Sequence, residues 1–171
     1  MAEILRYSSH GNNVSVFSLK NIGIIRKIAY SNSAKYYILK EERGLSWYED
    51  LLGKEKLLIK ELVNLKNYSK LDLYFLDGFS LSYLAPLRKT HFYINQCIDH
   101  YHEKWPKRNF APIHGDLTLS NIIFIKKNPI FIDWEHFSED DFLWGFDIAY
   151  LLLSSLILPD RNKINFHPKD I

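Results

Sequence analysis

Three side chains in one short stretch have the types and spacing for chemistry. Within Ile113-His114-Gly115-Asp116-Leu117-Thr118-Leu119-Ser120-Asn121, a carboxylate stands five positions before an Asn. Twelve residues after that Asn comes the first acid of Phe131-Ile132-Asp133-Trp134-Glu135. Such a set suits phosphoryl transfer. The migrating group is heavily negative, so Mg²⁺ must bridge the phosphates. Mg²⁺ takes oxygen ligands, commonly one or two carboxylates completed by water. An Asn carbonyl and an Asp carboxylate from adjacent loops meet that need. A separate carboxylate must orient the attacking hydroxyl and accept its proton. Taken singly, each residue has a plainer reading. Asp116 could cap a turn after Gly115, Asn121 could be a turn residue, and Asp133 could cap a strand end.

The flanking pattern explains how the three could meet. Ile122-Ile123-Phe124-Ile125 and Pro129-Ile130-Phe131-Ile132 read as two strands around the turn Lys126-Lys127-Asn128. Closing that hairpin brings Asn121 beside Asp133. Upstream, Ile4–Tyr7, Val14–Leu19 and Gly23–Ile28 read as an antiparallel meander, with turn residues at His10–Asn13 and Lys20-Asn21. Ser31 to Ser33 offer an N-cap for a helix whose stripe is Ile38, Leu39, Leu45, Tyr48 and Leu52. Gly53 ends it, and Gly44 in its middle weakens the helical pattern. Lys56–Leu62 and Leu71–Leu76 read as short strands, closed by Asp77-Gly78. Thr90–Trp105 is an amphipathic helix with Ile94, Ile98, Tyr101 and Trp105 on one face, stopped by Pro106. Phe142–Leu158 reads as a buried apolar helix. Strands and helices are partly segregated along the chain, which predicts an α+β fold in two layers or lobes.

His114-Gly115-Asp116, Asn121 and Ile132-Asp133-Trp134-Glu135 together resemble the aminoglycoside phosphotransferase and choline kinase family, small-molecule kinases with a protein-kinase-like fold. The resemblance implies a small N-terminal antiparallel-sheet lobe, residues 1–76, that binds the nucleotide. It implies a mostly helical catalytic lobe, residues 77–171. Asp116 would be the catalytic base, Asn121 and Asp133 the Mg²⁺ ligands, and Glu135 the second acid of the metal motif. His114 would support the catalytic loop. Asp147, in Gly145-Phe146-Asp147-Ile148-Ala149, would cap the next helix or brace that loop. A basic residue on the third strand should grip ATP phosphates while a helix Glu holds it. Lys27 is the candidate with Arg26 as alternative, since neighbours on a strand face opposite ways. Glu41 is the candidate partner, with Glu42 as alternative. The His10–Asn13 turn could cover phosphates, and the segment near Leu76 would be the hinge that meets adenine.

The implied cofactors are ATP and Mg²⁺, and the implied partner is a small-molecule hydroxyl acceptor: a sugar, an aminoglycoside, a choline-like alcohol or a glycan precursor. The alternative is a kinase-like binding module without catalysis. After Glu135 only 36 residues remain, where such kinases carry a larger helical region. A minimal member would leave the acceptor pocket open or have it completed by an oligomer or partner. A fragment is the other reading.

Composition excludes several other classes. The 171 residues fit about one domain. Hydrophobic residues at 47% and charged residues at 25% mark a folded chain rather than a disordered one. A net charge of +2 gives no nucleic-acid footprint. The most apolar run, Ile148–Leu158, is too short for the ~20 residues of a membrane span. One cysteine, Cys97, permits no internal disulfide and predicts a reducing, cytoplasmic setting. Asp99, His100 and His102 do not read as a metal site. Two positions on a helix turn the chain about 200°, so the histidines diverge and read as exposed.

Overall fold

The computed structural model of the protein describes residues 3–7, 14–53, 57–81 and 87–157. The expected α+β architecture is present. A five-stranded antiparallel sheet is built from β1 (Glu3–Tyr7), β2 (Val14–Leu19), β3 (Ile24–Ala29), β4 (Ile59–Asn64) and β5 (Ser69–Tyr74), in the order β1-β2-β3-β5-β4. The helix α1 (Asn32–Leu52) connects β3 to β4. Beyond the sheet come α2 (Leu87–Lys104), β6 (Phe110–Ile113), the hairpin β7 (Ile122–Ile125) and β8 (Asn128–Phe131), β9 (Ser138–Leu143) and α3 (Phe146–Leu152). Strand β6 pairs with β9 as a second two-stranded sheet. Among the described residues, no helix is long and apolar enough to cross a membrane.

Sheet register sorts the side chains that matter. Lys27 pairs with Val16 on one neighbour and with Leu71 on the other. Paired residues share a face, so Lys27 lies on the side of buried Val16 and Leu71. Arg26, paired with Phe17 and Asp72, takes the opposite side.

Helix α1 begins where Ser31 Oγ accepts from the Ala34 amide at 3.2 Å and ends at Gly53, which is left-handed with φ 63°. Its buried stripe is Ala34, Ile38, Glu41, Leu45 and Tyr48, so an acid sits inside an apolar face. Gly44 does not weaken this helix; it permits close packing. A Cβ there would stand 2.8 Å from the Cβ atoms of both Trp134 and Phe137. Gly44→Ala adds about 1 kcal/mol of helix propensity but forces an overlap costing roughly 1–3 kcal/mol. The variant should therefore melt below the wild type in a thermal unfolding scan, despite the better helix former.

Aromatic packing joins α1 to the second half of the chain. Tyr48 stacks on Phe131 at 5.6 Å and meets Trp134 at 5.0 Å. Trp105, at the end of α2, lies 6.0 Å from Trp134. Helix α2 buries Ile94, Cys97 and Tyr101, and Trp105 just past its end is buried too. Burial pushes the Cys97 thiol up to about 12, as expected of a packing residue.

Several expectations need correction. The hairpin turn contains two residues rather than three, Lys126 and Lys127, both with positive φ (49° and 74°). Strands β4 and β5 are displaced from Lys56–Leu62 and Leu71–Leu76. The segment read as one buried helix from Phe142 is instead the end of β9, then α3, then a π-type turn at Leu153–Ile157. It is not buried throughout, since Leu143 is 66% and Leu153 50% exposed. The His10–Asn13 turn and the tail from residue 158 lie outside the described residues.

His100 is also not an exposed helix histidine. The Tyr48 hydroxyl accepts from the Phe131 amide at 3.3 Å and shares a hydrogen bond with His100 Nε2 at 3.0 Å. Burial, aided by nearby Lys104, pulls the ring down from 6.5 to about 4. A depressed folded pKa means the unfolded chain takes a proton first. Stability is therefore lost as pH falls from 6.5 through about 4, by about 3 kcal/mol. Urea unfolding at pH 7 and pH 4.5 should show a smaller acid loss for His100→Gln than for wild type.

Candidate active site

Local hydrogen bonds place the loop from His114 to Asn121. The buried His114 ring donates from Nε2 to the Ile132 carbonyl at 2.8 Å. That tautomer leaves Nδ1 to accept from the Asp116 amide at 3.3 Å. Burial holds the ring below its ordinary pKa, which favours this neutral form. Asp147 accepts from the amides of His114 at 2.9 Å and Gly115 at 3.0 Å. It therefore braces the loop; α3 has no side-chain cap. Burial pushes the Asp147 carboxyl up. Gly115 has φ 84°, and a Cβ there would stand 2.5 Å from the His136 carbonyl oxygen, so the turn has no room for a side chain.

Asn121 and Asp133 are joined through the hairpin. The Ile132 amide donates to the Asn121 carbonyl at 2.9 Å, one step beyond the Ile122–Phe131 pair. Asn121 Nδ2 donates to the Asp116 carbonyl at 2.8 Å and to Asp116 Oδ2 at 3.1 Å. Both amide hydrogens are spent on Asp116, which turns the Asn121 side-chain oxygen away from it. Asp133 is left-handed, with φ 67°. A non-glycine residue in that region costs about 1–3 kcal/mol, a strain that concentrates at functional sites. The following Trp134 pins the bend, being fully buried and donating from Nε1 to the Phe131 carbonyl at 2.9 Å.

The sheet and hairpin enclose a cavity of about 440 Å³. Val16, Ile25 and Leu73 line it from the sheet, and Ile123 and Ile132 from the hairpin. Tyr74, Phe75 and Leu76, the expected hinge, also line it. Its charged and amide groups are Lys27, Glu41, Asn121 and Asp133. Lys27 Nζ contacts both Glu41 carboxylate oxygens and Asp133 Oδ1, each at 2.6 Å. Arg26 instead makes a two-pronged bond to Asp72, at 2.7 Å for each prong. Of the open alternatives, the structure thus brings Lys27 and Glu41 to the cavity. Glu42 accepts from Ser46 on the same helix.

The electrostatics of this cluster are unbalanced. Burial pushes the Lys27 ammonium down, but Asp133 and Glu41 outweigh it, so the group stays charged with a raised pKa. Burial pushes the Glu41 carboxyl up; Lys27 opposes this, while Asp133 competes for the same ammonium. One ammonium against two carboxylates gives a net −1. A further cation in the cavity would relieve that charge. Asn121 and Asp133 supply hard oxygen donors suited to Mg²⁺. Among the described residues, no group of three or more His, Cys, Asp and Glu could hold a metal. A cation here would therefore complete its shell with oxygens from ligand or water. Glu135 does not line the cavity. Its side chain is 21% exposed, 3.8 Å from His136, and its charge reaches Glu41.

Sequence reasoning left Glu41 against Glu42 open, although one signal could have chosen. Glu41 stands three residues after Ile38 and four before Leu45, on the apolar stripe itself. Tyr150, whose hydroxyl pKa is pushed up by burial and by the nearby Asp116 charge, was missed altogether.

Comparison with known proteins identifies the family and the fold. The chain aligns with the "Protein LicA homolog" of Metamycoplasma hominis, 29% identical over 186 aligned positions, covering 98% of this chain and 72% of that protein. Among solved structures it resembles the amicoumacin kinase hAmiN in complex with AMP-PNP, Ca²⁺ and Ami, with a TM-score of 0.52 at 14% identity. That likeness, which concerns the fold, covers 88% of this chain but only 63% of the kinase's, so the chain spans under two-thirds of that structure. The model of the phosphotransferase enzyme family matches residues 39–164, a stretch that runs from α1 through the braced loop, the hairpin and α3. With most of its length inside that match, the chain belongs to the phosphotransferase enzyme family.

Proposed function

We propose that the protein transfers the γ-phosphoryl group of ATP to a hydroxyl of a small molecule, with Mg²⁺ as cofactor. The observation that carries this reading is the buried Lys27–Glu41–Asp133 cluster at the cavity, with its net negative charge. The amicoumacin kinase was solved with a nucleotide analogue and a divalent cation, which supports both ligands here. In this reading residues 1–76 form the nucleotide-binding lobe and residues 77–171 the catalytic lobe. The reaction takes place in the cytoplasm, where ATP is supplied.

Each residue then has a task. The apolar walls take the adenine, and the hinge near Leu76 offers it backbone groups. Lys27, steadied by Glu41, binds phosphate oxygens. Asn121 and Asp133 would hold Mg²⁺, and Glu135 would add negative charge just outside. When bound, Mg²⁺ would neutralise the charge that builds on the transferred group. Asp116, oriented by Asn121, aligns the acceptor hydroxyl and takes its proton as the new O–P bond forms and ADP departs. Positioning and electrostatics supply most of the rate.

Thermal unfolding with ATP, with Mg²⁺, and with both tests the binding half of this reading. Only the combination should raise the melting temperature substantially, because phosphate and carboxylate charges need the metal between them. No rise with both would count against the nucleotide site.

A further inference from the structure

Two glycines mark where the rest of the site closes on Asp133. The residues after it form a turn, Trp134 to Phe137, in which the Phe137 amide donates to the Trp134 carbonyl at 3.0 Å. Trp134 and Phe137 are both buried, so close packing holds the turn in place. On one side lies the loop of Asp116, where a Cβ at Gly115 would stand 2.5 Å from the His136 carbonyl oxygen. On the other lies α1. A Cβ at Gly44 would stand 2.8 Å from the Cβ atoms of Trp134 and Phe137, and 2.9 Å from Phe137 Cγ. Gly44 belongs to the same buried face of α1 as Glu41, three positions earlier. Lys27 joins helix and turn. Its Nζ contacts both Glu41 oxygens, carried by α1, and Asp133 Oδ1, carried next to the turn, each at 2.6 Å.

We propose that Gly44 is a positioning residue for the reaction: by letting α1 lie directly on the Trp134–Phe137 turn, it sets the spacing between Glu41 and Asp133 at which one ammonium meets both carboxylates. This rests on the phosphotransferase reading, which gives Lys27 the phosphates and Asp133 the metal. Carbon atoms pack at about 3.5–4.0 Å, so a methyl group at Gly44 needs roughly 1 Å of extra room. The atoms it meets are the first side-chain carbons of two buried aromatics, whose places are fixed by the backbone. The helix moves instead and takes Glu41 with it. A hydrogen bond from nitrogen to oxygen ends near ~3.2 Å. Lys27 then keeps one carboxylate and loses the other.

Kinetics at a temperature where the variants are folded separate positioning from packing. In transfer from Mg²⁺-ATP to choline, an aminoglycoside or glucose, whichever the wild type uses, Gly44→Ala should lower kcat/KM for ATP roughly ten- to a hundredfold, the range for a misplacement of about 1 Å. KM for the acceptor should not change. Ile94→Val thins the core on α2, outside the cavity lining. It should melt lower yet keep wild-type kinetics. A residue that merely packs would leave folded Gly44→Ala at the wild-type kcat/KM, and that result overturns the proposal. Glu41→Asp withdraws the carboxylate by one carbon with the Gly44 contact intact. It should reproduce the loss in kcat/KM for ATP, and wild-type kinetics there would also overturn the proposal. A second readout needs no turnover. Urea unfolding of the ligand-free wild type, Gly44→Ala, Glu41→Gln and the double variant forms a cycle. Gly44→Ala should shift the midpoint less in the Glu41→Gln background, and equal shifts in both backgrounds overturn the spacing role. Failure of the phosphotransferase reading would show differently. The wild type would then transfer nothing, which removes the role of Gly44 in the reaction whatever the unfolding cycle reads.

Discussion

Asp116→Asn lowers kcat by about two to four orders of magnitude, the range for losing a general base, while the melting temperature and KM for ATP stay near wild type. The variant side chain has the same size and can still accept from Asn121 Nδ2, which now sits 3.1 Å from Asp116 Oδ2. What it loses is the capacity to take a proton. The loop itself is held by other groups: His114 to the Ile132 carbonyl, and Asp147 to two loop amides. Steady-state kinetics with Mg²⁺-ATP and the preferred acceptor, set beside a thermal scan, check both halves. A loss of stability matching the loss of rate would make Asp116 a structural residue.

Lys27→Met should damage stability and binding together. Lys27 and Glu41 have side chains only 7% and 2% exposed, and Asp133 is at 12%. Removing the ammonium leaves two buried carboxylates without a countercharge, a situation costing about 3–5 kcal/mol. The same change removes the group assigned to the phosphates. The variant is therefore expected to unfold well below the wild type and to gain no stability from Mg²⁺-ATP. Arg26→Met is the contrasting test. Its guanidinium is bound to Asp72 on the other side of the sheet, so nucleotide-dependent stabilisation should persist. Equivalent behaviour of the two variants would contradict the assignment of Lys27. Denaturant unfolding with and without Mg²⁺-ATP reads both.

Much of the site was legible because its signals are local. The hairpin from Ile122 to Phe131 follows from two short apolar strands around a polar turn, and it alone brings Asn121 to Asp133. The choice between Lys27 and Arg26 needed something the strand does not carry. Period-two alternation says that one residue faces the cleft, and only the pairing of Lys27 with Val16 and Leu71 says which. Strands β6 and β9 escaped notice for a related reason. Strand β6 has only four residues, its pairing joins Phe110 to Leu143 across the whole hairpin, and β9 carries Glu139, Asp140 and Asp141. Gly44 misled in the opposite direction. Its local meaning is a weak helix, but its packing meaning depends on Trp134 and Phe137, some ninety residues away. His100 likewise looked like a surface residue until Tyr48, 52 positions distant, was placed against it.

The central claim is transfer of a phosphoryl group under the control of Asp116. Its most direct test follows label from γ-labelled ATP to a panel of hydroxyl acceptors, with wild type and Asp116→Asn side by side. The account predicts Mg²⁺-dependent transfer to an acceptor by the wild type and a rate at least about a hundredfold lower for the variant. Equal transfer by both proteins, or a wild type that binds Mg²⁺-ATP and labels no acceptor, would contradict it.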